Sequence, residues 1–190
     1  MTTILIRGGT VVNADFNERA DVLIRDGKIV AVGEGVGKEV KADEVVDAGG
    51  CYVMPGGIDP HTHMDMPFGG TTSADDFDSG TLAAAFGGTT CLVDFAIQTK
   101  GESTLKGLDT WHAKAEGKAH VDYAFHMILA DPNPRVLNEE LPPLVKAGHS
   151  SIKLFMTYEH TKVDDEQLAD TLIAARANKA MVCVHAENNG

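Results

Sequence analysis

Cys91-Leu-Val-Asp-Phe-Ala-Ile97 is the stretch that decides the fold class, because it is apolar on both faces of a strand. A strand of this kind is covered on both sides by other elements, as the strands of parallel sheets are. It lies within a strand predicted over residues 89–97. We predict four further strands of the same sheet in the part of the chain after residue 50, at 53–61, 121–129, 151–156 and 181–185.

Helical patterns separate these strands, at 74–86, 104–117, 135–147 and 164–177. In the first, Ser73 and Asp76 are placed as a capping box, and Gly87-Gly88 ends the helix. Alternating strands and helices indicate βαβ units, here the first five strands and four helices of a (β/α)8 TIM-type barrel. A doubly wound open sheet fits the same rhythm. No Gly-x-Gly-x-x-Gly follows the first parallel strand, however, which removes the commonest ligand argument for that fold.

The first 50 residues have a different pattern. Short β-leaning runs at 4–6, 10–12, 22–24, 29–32 and 44–46 are separated by glycine-containing turns. Asp26-Gly27 between two apolar runs is a strong hairpin signal. We therefore predict a small antiparallel sheet over residues 1–50, as a domain separate from the α/β part over residues 51–190.

Composition limits the class of partner and the compartment. The net charge of −12, with scattered lysines and arginines, argues against nucleic acid or an anionic membrane as the partner. Three unpatterned cysteines indicate reduced thiols rather than a disulfide framework. The N-terminus lacks the features of a signal peptide, and no stretch reaches transmembrane length. We expect a cytoplasmic protein.

The sharpest chemical signal is Gly56-Gly-Ile-Asp-Pro-His-Thr-His63. His61 and His63 are two residues apart at a strand's end, so both side chains are expected on one face. That face lies at the C-terminal mouth of the sheet, where barrel enzymes place their active sites. Two imidazoles from one strand suit zinc or a similar divalent ion, whereas the alternative is a pair of solvated loop histidines.

Lys153 lies on the fourth strand of this sheet, with Ser151 and Phe155 facing the interior and Ile152 and Leu154 facing the helices. A lysine buried there needs a partner or a chemical role. A neutral amine can add carbon dioxide to form a carbamate that bridges two cations. A salt bridge to an acid such as Asp94 is an equally good interpretation of the spacing.

His185 ends the fifth strand and shares one face with Met181 and Cys183. A single histidine in such a place is more often a hydrogen-bonded core residue than a ligand. Its position at the same mouth as His61, His63 and Lys153 favours the ligand interpretation, because three strand ends then converge on one point.

The segment His61-Thr-His-Met-Asp-Met-Pro-Phe-Gly-Gly-Thr-Thr-Ser-Ala-Asp-Asp-Phe77 resembles the dihydropyrimidinase and D-hydantoinase branch of the amidohydrolase superfamily. Three more segments extend the match in order: Phe86-Gly-Gly-Thr-Thr-Cys-Leu-Val-Asp-Phe95, Ser151-Ile-Lys-Leu-Phe-Met-Thr-Tyr158 and Val184-His-Ala-Glu-Asn188. The resemblance covers the whole chain. It implies a (β/α)8 barrel preceded by the N-terminal part of a small β-sandwich, and a homotetramer for full-length members.

The resemblance also implies a ligand set for two divalent metal ions. His61 and His63 would bind the more buried ion, Lys153 would bridge both ions as a carbamate derived from carbon dioxide, and His185 would bind the second ion. Zinc is the expected metal, and manganese or cobalt would also fit the set.

The implied reaction is hydrolytic opening of a small cyclic ureide, such as 5,6-dihydrouracil or a hydantoin, to an N-carbamoyl amino acid. A metal-bridging hydroxide would attack the ring carbonyl. The Tyr158 hydroxyl would hydrogen-bond the substrate carbonyl oxygen, and Phe68 and Phe155 would form pocket walls.

Two groups that the resemblance requires are missing from the chain. The family takes one more metal-binding histidine from the sixth strand and a catalytic aspartate from the eighth, whereas this chain stops after the fifth. Asp94 and Glu187 do not substitute, because their strands occupy other places in the pattern. We therefore expect a fragment of a longer enzyme whose site is incomplete and inactive on its own.

Two other functions fit the sequence less well. The collapsin response mediator proteins resemble the family but act as scaffolds, and they have lost metal-binding side chains that are kept here. Allantoinases and dihydroorotases typically have an arginine soon after the His-x-His, to meet a more polar substrate. Here Met64-Asp-Met-Pro-Phe68 follows instead, which favours an apolar pocket and a neutral ring.

Overall fold

The computed structural model describes residues 2–187, and the contacts divide the chain into two compact units between Pro55 and Gly56. Asn188, which ends the last of the quoted motifs, lies outside the described residues. The domain boundary after residue 50 stays a prediction. The contact division falls five residues later because a short strand at Tyr52–Val53 hydrogen-bonds within the first unit.

The first unit is one mixed sheet. Its strands are β1 (Thr3–Val12), β2 (Asn17–Arg25), β3 (Lys28–Gly33), β4 (Glu44–Asp47) and β5 (Tyr52–Val53). The predicted hairpin at Asp26-Gly27 is confirmed: both residues have positive φ, 49° and 75°, as a two-residue type I′ turn requires. The prediction of a purely antiparallel sheet is wrong, because β4 and β5 both pair with β1 in parallel. Asp43 holds the start of β4 beside the start of β1, because its carboxylate accepts a hydrogen bond from the Thr3 amide at 2.7 Å.

The second unit contains, within the described residues, a parallel sheet of five strands in which each strand pairs with the next one of the sheet along the chain. The strands are β6 (Gly57–Asp59), β9 (Thr89–Ile97), β10 (Asp122–Ile128), β11 (Ser151–Phe155) and β12 (Met181–His185). A short hairpin, β7 (Pro67–Phe68) and β8 (Thr71–Thr72), follows β6. The helices are α1 (Phe77–Phe86), α2 (Thr104–Ala115), α3 (Leu141–Lys146) and α4 (Asp165–Asn178). This sequential parallel order confirms the predicted first half of a (β/α)8 barrel.

The helix-facing side of the sheet is packed as the alternation predicts. Ile152 and Leu154 on β11 have no exposed surface, and they belong to one apolar cluster with Val136, Leu141 and Ala175 from the helical layer. A second cluster is centred on Trp111 of α2. Lys153 and Phe155 alternate with the buried apolar pair and line a cavity on the other side.

The predicted first barrel strand, 53–61, is wrong in extent. The chain forms two separate short strands, β5 in the first unit and β6 in the second. Pro55 cannot donate to a ladder, and Pro60 ends β6 for the same reason. His61 and His63 therefore lie on the loop after β6, so strand alternation does not set their direction.

Helix boundaries also differ in two places. The N-cap of α1 is Asp76, which forms a capping box with Ser79, whereas Ser73 hydrogen-bonds instead to Met66. The predicted helix 135–147 consists of a π-helical turn, Val136–Glu140, followed by α3. Among the helices of residues 2–187, none has the length and apolarity that crossing a membrane would require.

Candidate metal centre

A cavity of about 860 Å³ opens at the C-terminal ends of the parallel strands. All seven residues predicted for the site line it: His61, His63, Phe68, Lys153, Phe155, Tyr158 and His185. Their roles stay predictions, but the convergence of distant segments on one cavity is a structural fact. The strand ends bring them together, as the parallel arrangement requires.

His61 and His63 form one wall of this cavity. Their ring centroids are 5.1 Å apart and the planes are nearly perpendicular, at 89°. Both rings rest against Phe95, at 4.6 and 4.9 Å between centroids. The pKa of His63 lies below its usual value, mainly because of desolvation, with further lowering by His61 and Lys153 opposed by Asp94. A neutral imidazole is the form that binds a metal ion.

Lys153 is 8% exposed and faces this cavity. Its Nζ lies 5.0 Å from the ring centroid of Phe155. Within residues 2–187 it forms no ion pair, and the four hydrogen bonds to the Asp94 carboxylate come from other groups. The alternative of a Lys153–Asp94 salt bridge is therefore not what the structure shows.

His185, Tyr158 and Phe155 form a second group of rings in the lining of the cavity. The His185 ring stacks on Phe155 at 5.5 Å and lies 5.3 Å from Tyr158, and its Nε2 is 2.9 Å from a Glu187 carboxylate oxygen. Tyr158 has a left-handed backbone, with φ of 69°, a conformation that is uncommon for residues other than glycine. Phe68 faces Tyr158 across the opening, with 6.0 Å between ring centroids.

The loop that contains Tyr158 is fixed from the neighbouring strand. Lys100, which follows β9, directs its Nζ to the carbonyl oxygens of Glu159 and Lys162 at 3.4 and 3.3 Å. The amides of Thr161 and Lys162 donate to the Tyr158 carbonyl oxygen at 2.9 and 2.8 Å. These bonds stabilise the left-handed residue in the turn. Lys100 gave no signal in the sequence, because its partners are about sixty residues away.

A test of the metal prediction is whether the donors present suit an ion. Within residues 2–187, no three side chains of histidine, cysteine, aspartate or glutamate are grouped so that they could hold one. The Lys153 amine shares the cavity with His61, His63 and His185, and it would add a ligand to these imidazoles only as the carbamate that the resemblance implies. Imidazole nitrogens and a carbamate oxygen suit zinc, so the residues present fit part of a metal centre.

Two residues that support the His61–His63 loop were not assigned to the site from the sequence. Asp94 is fully buried, and the pKa of its carboxyl is raised by desolvation against the opposing effect of its hydrogen bonds. His126 is also buried, and its Nε2 is hydrogen-bonded to the Pro60 carbonyl oxygen at 2.8 Å. A charged residue inside the apolar run 91–97 was the available signal for Asp94.

The chain belongs to the amidohydrolase family, whose family profile, described as "Amidohydrolase family", matches residues 52–190. Similar relatives include the D-hydantoinase of Geobacillus stearothermophilus, 52% identical over 188 residues, which cover 98% of this chain and 39% of the relative. The dihydropyrimidinase of Rattus norvegicus is 42% identical over 190 residues, with 97% of this chain and 36% of the relative covered.

A solved structure gives the same result for the fold. The dihydropyrimidinase from Brevibacillus agri NCHU1002 superposes with a TM-score of 0.94 at 52% identity, over 98% of this chain and 40% of that structure. The chain therefore spans about two fifths of the length of the relatives it matches.

Proposed function

We propose that this chain supplies the N-terminal part of a metal-dependent cyclic amidohydrolase. The enzyme opens the ring of a dihydropyrimidine, such as 5,6-dihydrouracil, or of a hydantoin, to give an N-carbamoyl amino acid. One observation supports this most directly: His61, His63, Lys153 and His185 line a single cavity at the strand ends. The names of the relatives, D-hydantoinase and dihydropyrimidinase, agree with the proposed reaction.

His61 and His63 would hold one divalent ion and His185 a second, with Lys153 bridging the two as a carbamate. Zinc is the proposed metal, because imidazole and oxygen donors are its usual ligands. When bound, the ions would supply a nucleophilic hydroxide at neutral pH. The neutral state of the imidazoles needed for binding is favoured at His63 by desolvation, which lowers its pKa.

The chain's own residues would bind and orient the ring. The Tyr158 hydroxyl would donate a hydrogen bond to the carbonyl oxygen, where negative charge develops during attack. Phe68 and Phe155 would bound the ring on either side, and both are in ring contact with Tyr158. These aromatic walls would exclude water from the reacting carbonyl.

The apolar part of the cavity lining supports a neutral ring as the substrate. Among the described residues, no arginine lines it, whereas Met66, Pro67, Ile97 and Ile128 contribute apolar surface. An allantoinase or dihydroorotase would be expected to place an arginine here for a more polar or anionic ring. The cavity therefore favours a dihydropyrimidine or hydantoin over those substrates.

The site in this chain is proposed to be incomplete, because the resemblance requires a further histidine and a general-base aspartate. The proposed whole enzyme is a cytoplasmic homotetramer. The experiment is the intact mass of the protein from its natural source, followed by dihydrouracil and hydantoin ring opening after chelation and zinc reloading. A mass well above 20.2 kDa with zinc-dependent ring opening supports the proposal. Ring opening unaffected by chelation would overturn it.

A further inference from the structure

We propose that Asp94 is a positioning residue that fixes the peptide segment between His61 and His63 and so sets the direction of both imidazoles. The inference rests on the proposed function, since it concerns the same metal centre. Asp94 itself is directed away from the cavity, into the layer beneath the loop, and does not line it. Its effect would be transmitted through backbone and hydroxyl contacts.

The Asp94 carboxylate is hydrogen-bonded to the residues on both sides of His63. One oxygen, Oδ2, accepts from the Thr62 hydroxyl at 3.0 Å and from the Met64 amide at 2.7 Å. Thr62 and Met64 are the neighbours of His63 on either side, and Thr62 is also the single residue between the two histidines. A rigid acceptor bonded at both points restricts rotation of the peptide units that direct the rings.

The other oxygen anchors the carboxylate to the core. Oδ1 accepts from the Phe95 amide at 2.7 Å and from the Trp111 indole Nε1 at 3.3 Å. Trp111 is 4% exposed at the centre of an apolar cluster, and Phe95 supports both imidazole rings from below. The loop is thus attached through one side chain to β9 and α2.

Only a carboxylate satisfies this arrangement. Three of the four donors are N–H groups that cannot accept, and they are divided between the two oxygens. An asparagine in this place would direct its own NH2 toward at least one N–H donor. Burying a charge in an apolar strand is unfavourable, and well-packed apolar replacements are often as stable. The carboxylate is therefore explained by the loop it holds rather than by the stability of the sheet.

The test is a set of matched variants of the full chain, examined by titration with Zn²⁺ and Co²⁺ and by the visible absorption of bound Co²⁺. Thr62→Val removes one hydroxyl with little change in volume, and Asp94→Asn removes the charge. Both are expected to weaken metal binding by about 10- to 100-fold, the usual effect of losing a group that orients a ligand. Thr62→Ser keeps the hydroxyl and should bind like the parent.

Trp111→Phe is the control for simple loss of stability. It removes the longer of the two core-side bonds to Asp94, whereas the shorter bond from the Phe95 amide and both loop contacts stay in place. We expect a lower melting temperature of the metal-free protein with metal affinity changed less than threefold. The positioning role is overturned if Trp111→Phe and Asp94→Asn both lose metal affinity in proportion to the fall in their melting temperatures.

His63→Ala separates this proposal from the proposed function. If the parent binds and His63→Ala does not, while Thr62→Val and Asp94→Asn bind normally, only the positioning role fails. If the parent and His63→Ala behave alike, the metal centre fails. In that case the imidazole resonances of metal-free protein still test Asp94. One set of His61 and His63 signals should become several in Thr62→Val, and an unchanged spectrum would overturn the proposal.

Discussion

The imidazole of His126 is bonded through Nε2 to the carbonyl oxygen of Pro60, 2.8 Å away. A carbonyl oxygen only accepts, so Nε2 donates this bond, and Nδ1 is hydrogen-bonded to the Ser151 hydroxyl at 2.6 Å. These two bonds join β10, β11 and the residue that precedes His61. The histidine loop is therefore supported at two points, at Pro60 by His126 and at Thr62 and Met64 by Asp94.

His126→Phe tests the first of these supports. The substitution keeps an aromatic ring against Phe95 but leaves the Pro60 carbonyl and the Ser151 hydroxyl without their partner. We expect the free energy of unfolding to fall by about 1–3 kcal/mol, the cost of unsatisfied buried polar groups. Urea denaturation followed by circular dichroism measures it. Ser151→Ala, which removes only the Nδ1 bond, should cost less, and a larger loss in Ser151→Ala would contradict this assignment.

Lys153→Met tests whether the buried amine stabilises the metal-free protein. Methionine has a similar length, and within residues 2–187 the amine has no ion pair to lose. The metal-free variant is therefore expected to be as stable as the parent or more stable, because an unpaired buried charge is removed. Zinc content measured by mass spectrometry should fall to background in the same variant. A destabilisation above about 1 kcal/mol would show that the lysine contributes a stabilising pair.

Short-range patterns predicted the sheet and the places of His61, His63, Lys153 and His185 at strand ends. The other three cavity residues, Tyr158, Phe68 and Phe155, came only from the resemblance to the family. Alternation along β11 separates Lys153 from Ile152 and Leu154, and the observed burial follows it. The direction of His61 and His63 did not follow from alternation, since Pro60 ends β6 before them. Their support comes from Asp94 and His126, which are 30 to 66 residues away along the chain. Contacts at such separation depend on how the layers pack, which a local pattern does not encode.

The pair His112 and His149, whose rings are 5.9 Å apart on the helix side of the second unit, gives a pH-dependent prediction. Desolvation lowers the pKa of His149 from its ordinary value of 6.5, and the nearby His112 lowers it further. The unfolded chain then binds more protons, so the free energy of unfolding should fall as the pH drops from about 6.5 through the folded pKa.

Urea denaturation between pH 8 and pH 5 measures this dependence. His149→Gln should show a shallower decline than the parent, because the neutral amide has no proton to bind. His112→Phe keeps a ring in contact with Phe125 and removes the second charge, so it should reduce the slope by a smaller amount. Equal slopes in the parent and His149→Gln would mean that other groups cause the acid loss.

Glu140 ends the π-helical turn, which the sequence did not predict, and its carboxylate caps α2. Its carboxylate is 8% exposed, accepts from the Thr104 amide at 2.8 Å and pairs with Arg135 at 3.0 Å. The Glu140 carboxylate therefore accepts a hydrogen bond from an amide in the first turn of α2, which has no partner within its own helix. A negative charge is also favoured at this end of α2. Glu140→Ala should lower the free energy of unfolding by about 1–3 kcal/mol, measured by urea denaturation. Arg135→Ala removes only the more exposed partner and should cost under about 1 kcal/mol. A greater loss in Arg135→Ala than in Glu140→Ala would be inconsistent with the capping role.

Tyr158 combines a strained backbone with a proposed role in binding the carbonyl oxygen. Tyr158→Phe keeps the ring contacts with Phe68, Phe155 and His185 and removes only the hydroxyl. In the protein from its natural source we expect kcat for ring opening to fall by about 100- to 1,000-fold, as for loss of an oxyanion donor, with the melting temperature unchanged. Tyr158→Gly relieves the left-handed backbone but removes the ring as well, so it should lose activity and raise KM. The two variants thus separate the hydroxyl from the wall. Activity retained in Tyr158→Phe would assign Tyr158 to the wall alone and require a different donor for the carbonyl oxygen.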